Sequence, residues 1–70
     1  MDTTINLSTK VRAKVNIWHN LVKEGAEGIV CKVLITGGFN VYFPLGPNYT
    51  YQDQIFFCTP DQIEKTNDQE

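Results

Sequence analysis

The seventy residues are 41% hydrophobic and 20% charged, with six basic against eight acidic groups and a net charge of −2. That mix belongs to a globular domain rather than a disordered or fibrous chain, and so short a chain buries only about 60% of its unfolded surface, enough for one core. The acidic balance argues against non-specific nucleic-acid binding, no run nears the ~18 apolar residues that span a bilayer, and Met1–Lys10 lacks the apolar centre of a signal peptide.

Residues 1–9 are polar and without period, and read as a flexible lead. From Lys10 the pattern changes: Lys10, Arg12, Lys14 and Asn16 alternate with Val11, Ala13, Val15 and Ile17, the period of a strand with one buried face. His19 to Glu27 is loop-like, with Gly25 and Gly28 leading into a second strand, Gly28–Thr36. That strand is apolar on both parities and is expected to be covered on both faces. Gly37-Gly38 reads as a two-residue hairpin turn, because glycine tolerates positive φ, and Phe39–Phe43 follows as the partner strand. A long excursion over residues 44–53 holds two prolines and a glycine. Gln54–Cys58 is a fourth strand. Thr59–Gln62 fits one tight helical turn, capped by Thr59 with Pro60 at its first position. Ile63–Thr66 closes the series, and residues 67–70 read as a flexible tail.

An all-β fold follows: an SH3-like five-stranded barrel over residues 10–66, with one short helical turn before the last strand. A five-stranded oligonucleotide-binding barrel is the alternative, for which the chain is short. The expected core is Val11, Val15, Ile17, Ile29, Cys31, Val33, Val41, Phe43, Phe57 and Ile63.

Catalytic chemistry finds little purchase. His19 is the one histidine, with no serine or cysteine beside it in a nucleophile setting. Glu24 and Glu27 lie three apart in a loop, and the glycines join strand to strand with no helix amino terminus to receive a phosphate. One histidine and two distant cysteines do not make a metal-ligand set. The chain is therefore expected to be no enzyme on its own, with no cofactor, no metal and no small-molecule substrate. Cys31 and Cys58 read as buried reduced thiols, a disulfide or a redox-active thiol being the alternatives. Asn6-Leu7-Ser8 and Asn48-Tyr49-Thr50 match the glycosylation pattern, and read as chance matches in a chain with no secretion signal.

Charge is more informative. Residues 10–32 hold five basic groups against two acidic, and residues 53–70 hold one basic against five acidic. Lys10, Arg12 and Lys14 would project from one strand face about 6.6 Å apart, a row able to steer an acidic partner. The bland alternative is an edge strand blunted by cations. Trp18 and His19 end the same strand, and an exposed aromatic there would favour docking; Trp18 as a lid on the core is the competing reading. Lys10, Arg12, Lys14, Trp18 and His19 are thus the candidate partner-binding residues. Tyr49 and Tyr51 either stack bases of a single-stranded nucleic acid or cover one end of the barrel.

Taken together, Lys10-Val-Arg-Ala-Lys14, Ile17-Trp-His19 and Lys23-Glu-Gly-Ala-Glu-Gly-Ile-Val30 resemble the opening of the variable (alpha) subunit of ferredoxin–thioredoxin reductase. The likeness covers about the first 30 residues and continues as a generic pattern, shared with photosystem I subunit IV, through Val41-Tyr-Phe43, Gln54-Ile-Phe-Phe57 and Pro60-Asp-Gln-Ile-Glu64. The resemblance implies a cofactor-free accessory barrel of the cytoplasm or plastid stroma that packs against an iron–sulfur catalytic subunit or an acidic redox protein. That partner would carry the cluster and pass ferredoxin electrons to thioredoxin. It transfers no catalytic residue, and no redox role for Cys31 or Cys58. A single-stranded nucleic-acid-binding barrel is the alternative function, and a small enzyme assembled by oligomers around a shared pore is a third.

Overall fold

The computed structural model describes residues 4–66, so residues 1–3 of the expected lead and the whole expected tail, 67–70, lie outside the described residues. Five strands form one antiparallel sheet: β1 (Lys10–Ala13), β2 (Glu27–Val33), β3 (Phe39–Tyr42), β4 (Ile55–Cys58) and β5 (Ile63–Lys65). Their order is β4-β3-β2-β1-β5, and no ladder joins β4 to β5, so these two strands end the sheet. The fold is all-β, as the alternation and the short apolar runs predict.

The helical turn is placed differently. A single 3-10 turn, Gln52–Gln54, stands before β4 rather than before the last strand. Thr59–Gln62 is instead a hydrogen-bonded turn: the Gln62 N–H donates to the Thr59 carbonyl at 3.0 Å, and the Thr59 N–H donates to Gln62 Oε1 at 2.9 Å. Thr59 and Gln62 thus satisfy each other as a capping pair would, but the chain turns into β5 before a helix can propagate.

One apolar cluster fills the inner face: Val11, Ala13, Ile17, Val22, Val30, Phe39, Val41, Phe43, Phe56, Cys58 and Ile63. Val11, Ile17, Val41, Phe43 and Ile63 are therefore core residues as expected. Ile29 and Phe57 are exposed because β2 before Cys31 and β4 present the opposite parity from the expected one; Cys31, at the slip, is only half-buried, and Val33 pairs with Phe39 on the expected side but is exposed at the end of β2. Val30 and Phe56 both pair with Val41 and turn inward with it. At Cys31 the β2–β3 register slips, Val30 facing Val41 while Lys32 faces Asn40, so two steps along β2 match one along β3. Val15 is exposed because β1 ends at Ala13; the chain bends there, and Ile17 bridges back to Val22.

Gly37-Gly38 does not form a two-residue turn. The connection runs from Leu34 to Gly38, closed by the Leu34 N–H donating to the Gly38 carbonyl at 2.9 Å, with Gly37 at φ +102°. The described part of the lead is tied to β2: the Ser8 N–H donates to the Val30 carbonyl at 2.8 Å and the Val30 N–H to the Thr9 carbonyl at 3.0 Å. Gly28 is required by close approach, since a Cβ there would lie 2.5 Å from the Tyr42 carbonyl oxygen. Among the described residues, no helix is long and apolar enough to cross a membrane.

Candidate functional site

The β1–β2 connection zips part of the way before it opens. The Ala13 N–H donates to the Ala26 carbonyl, the Glu24 N–H to Asn16 Oδ1 at 2.7 Å, and Ile17 and Val22 exchange hydrogen bonds in both directions. Four residues then close the tip, Trp18 to Leu21, with the Leu21 N–H donating to the Trp18 carbonyl. Trp18, His19 and Asn20 all adopt left-handed backbone, at φ 54°, 53° and 68°. A non-glycine residue pays about 1–2 kcal/mol for that conformation. Asn20 and His19 are among the residue types that tolerate it; Trp18, a bulky aromatic, is not.

What this turn achieves is the display of an indole. Trp18 remains 56% exposed, its ring tilted over Phe56 at 6.4 Å between centroids, while the His19 ring meets it edge-on at 6.1 Å. With Ile17, Phe57, Thr59 and Gln62, Trp18 lines a surface cleft of about 360 Å³ beside the end of β4. Thr59 and Gln62 put polar atoms on one wall; the aromatic rings make the other apolar. At the rim, the Asp61 carboxyl is held below its ordinary value, chiefly by the Thr59 hydroxyl donating to it and also by a backbone N–H, with Lys14 contributing its charge.

The five residues singled out by sequence do not form one surface row. Lys14 lies beyond the end of β1, its N–H donating to the Gln62 carbonyl, and so approaches the turn that walls the Trp18 cleft. Lys14 and Trp18 are thereby brought to the same loop, with His19 against the indole. Lys10 sits at the far end of β1, lining a second, apolar hollow of about 210 Å³ with Ile29, Tyr42 and Pro44. Arg12 lies between them and is engaged: its Nε is 3.1 Å from Glu64 Oε2, and Glu27 faces it from β2.

Two features escaped the sequence, and a third, Tyr51, reads there as stacking bases or covering one end of the barrel. Phe57 points outward to line the cleft, which an apolar Ile-Phe-Phe-Cys run leaves undecided. Gln54 is buried and organises the long loop: its Oε1 accepts from the Leu45 N–H at 2.7 Å, and its Nε2 donates to the Tyr49 and Thr50 carbonyls. Tyr51 stacks on Tyr42 at 5.1 Å, covering β3 from outside the sheet. Among the described residues, no group of three or more His, Cys, Asp or Glu side chains is gathered closely enough to hold a metal ion. No protein-family model matches the chain, and neither does any curated protein or solved structure.

Proposed function

We propose that this chain is a non-catalytic accessory module that docks a protein partner at the cleft formed by Trp18, Phe57 and the Thr59–Gln62 turn, with Lys14 and His19 at its edge. The observation that carries the reading is the Trp18 turn. Consecutive left-handed residues are a local cost that persists only where surrounding structure imposes it, and such strain gathers at functional positions. Here it holds out a large aromatic beside a half-exposed phenylalanine, the kind of pair that dominates binding energy at interfaces. Lys14 and Asp61 then fix orientation and steer encounter more than they add affinity.

The strand order supports the finer reading of an SH3-like barrel, in which β5 follows a tight turn and pairs with β1. The likeness of residues 10–30 to the variable subunit of ferredoxin–thioredoxin reductase makes an iron–sulfur catalytic subunit the first partner to try, in a cytoplasmic or stromal setting. On that reading the electron-transfer chemistry belongs to the partner, and the isolated chain is inert.

Affinity purification with the wild-type chain, Trp18→Ala and Lys14→Glu, each at low and high salt, tests the proposal. A partner lost with Trp18→Ala and captured less strongly, and in a salt-dependent way, with Lys14→Glu supports it. Equal recovery by all three chains removes the cleft from consideration. A single-stranded nucleic-acid reading draws on the exposed Tyr51 stacked on Tyr42; titration with single-stranded DNA or RNA must quench tyrosine emission for it to stand.

A further inference from the structure

The hydrogen-bond inventory of the Trp18 cleft is lopsided. Trp18, Thr59 and Gln62 are the lining residues with polar side-chain atoms, and their oxygens are already engaged. The Trp18 carbonyl accepts from the Leu21 N–H, the Thr59 carbonyl from the Gln62 N–H, and the Gln62 carbonyl from the Lys14 N–H. Gln62 Oε1 accepts from the Thr59 N–H, and the Thr59 hydroxyl donates to Asp61. The side-chain nitrogens are not engaged: Trp18 Nε1 and Gln62 Nε2 donate to no group among the described residues.

This wall therefore offers N–H donors without an unspent acceptor, beside the half-exposed rings of Trp18 and Phe57. At the rim, Lys14 and Asp61 carry opposite charges and act on each other, which leaves no excess charge to select a strongly acidic or basic ligand. Such a surface selects by the sign of its hydrogen bonds. An ordinary extended chain presents an N–H for every carbonyl, and each N–H set against the wall would lose water with no oxygen to replace it. Proline has no backbone N–H. A run of prolines forms an extended left-handed helix whose carbonyls have no internal partner, and it docks on aromatic surface with little further loss of entropy.

We infer that the occupant of the cleft is a proline-rich segment of the partner, held as a polyproline II helix. Its rings lie on Trp18 and Phe57, and its carbonyls accept from Trp18 Nε1 and Gln62 Nε2. The inference rests on the cleft being the docking site and adds the chemistry of what docks there. At about three residues per turn, prolines three apart share the face that meets the rings, and a short peptide of this kind binds with a Kd on the order of 0.1–1 mM.

Titration of the isotope-labelled chain with a capped peptide of three Ala-Pro-Pro repeats, followed in N–H correlation spectra, tests it. An all-alanine peptide of equal length and a peptide of three Ala-Asp-Asp repeats serve as the ordinary and the acidic occupant. The Trp18 indole and Gln62 side-chain N–H signals should shift saturably with the proline peptide, and both controls should bind at least about fivefold more weakly. Trp18→Phe removes one donor and keeps a ring; Gln62→Glu removes the other and keeps an oxygen for the Thr59 N–H. Each should weaken the proline peptide about three- to tenfold. If one variant unfolds the other decides, and if both unfold the wild-type shifts decide. Absence of binding up to about 5 mM, a control that binds as well, or an affinity unchanged in the folded variants overturns the inference. A partner lost with Trp18→Ala while the proline peptide fails keeps the cleft and discards this occupant. Equal partner recovery and a failed peptide discard both.

Discussion

Gln54 shows how one polar side chain can hold a loop that has almost no secondary structure of its own. Its amide satisfies three backbone groups spread from Leu45 to Thr50, and its own carbonyl receives the Phe43 N–H. Truncation leaves those groups without their partner, at a cost of about 1–3 kcal/mol. Gln54→Ala should therefore lower the urea midpoint clearly and loosen residues 44–53; an unchanged midpoint would show that the loop stands without it. The cysteines make a second comparison. Burial pushes the Cys58 thiol up to about 11, whereas Cys31 is only half-buried and donates to the Asn40 carbonyl. A thiol-specific reagent near pH 8 should modify Cys31 well before Cys58, as thiolate availability and access both dictate. The linkage sign follows from the same shift. The folded state keeps the Cys58 proton where the unfolded chain has lost it, so stability should fall as pH rises from about 9 toward 11. Cys58→Ala should flatten that fall, and an equally steep decline in the variant would assign it to another group. Gln54 reads in sequence as an ordinary strand-starting residue, since nothing local marks a glutamine whose partners lie four to nine positions away.

At the level of elements, the sequence is legible where one parity is polar and illegible where both are apolar. β1 is unambiguous because Lys10 and Arg12 leave Val11 and Ala13 as the only inward candidates. β2 and β4 offer apolar residues on both sides, so local pattern does not decide the register. It is decided by tertiary pairing with Val41, which draws in Val30 and Phe56 and turns Ile29 and Phe57 outward. The slip at Cys31 adds a second parity change that no periodicity announces. The end of β1 was equally hidden: Val15 and Ile17 continue the alternation, yet the chain bends after Ala13 because Ile17 gains more by bridging Val22 in the core. The strained tip that results can be probed directly. Glycine at position 19 adopts the left-handed conformation without the Cβ penalty that histidine, though better suited than most residues, still carries, so His19→Gly should raise stability by about 0.5 kcal/mol, measurable as a higher thermal midpoint. The same change removes the ring packed edge-on to Trp18 and should weaken any partner bound at the cleft. A midpoint that stays level or falls would mean that the turn carries no releasable strain.

Across the whole molecule, the segregation of charge along the chain becomes a pairing of charge across the sheet. The basic first third and the acidic last quarter are distant in sequence, but the strand order sets β5 beside β1. Arg12 then lies between Glu64 on one side and Glu27 on the other, with its guanidinium at hydrogen-bond distance from Glu64. The charge asymmetry was plain in sequence, whereas its cancellation depended on a topology that brings residues 52 positions apart into register. Such a row is exposed and contributes modestly in its native form, so Arg12→Ala should cost less than about 1 kcal/mol. Arg12→Glu asks more of the fold, because it deletes one attraction and aligns three carboxylates across adjacent strands, where like charges directly opposite destabilise. The expected loss is about 1–2 kcal/mol at low ionic strength, and raising salt to about 0.5 M should restore roughly half by screening. Urea denaturation of the wild-type chain and both variants, each at two salt concentrations, separates the contributions. If Arg12→Glu unfolds at the same midpoint as Arg12→Ala, or if salt leaves their difference untouched, the carboxylates are too far apart or too well solvated to interact, and the row is an accident of exposure.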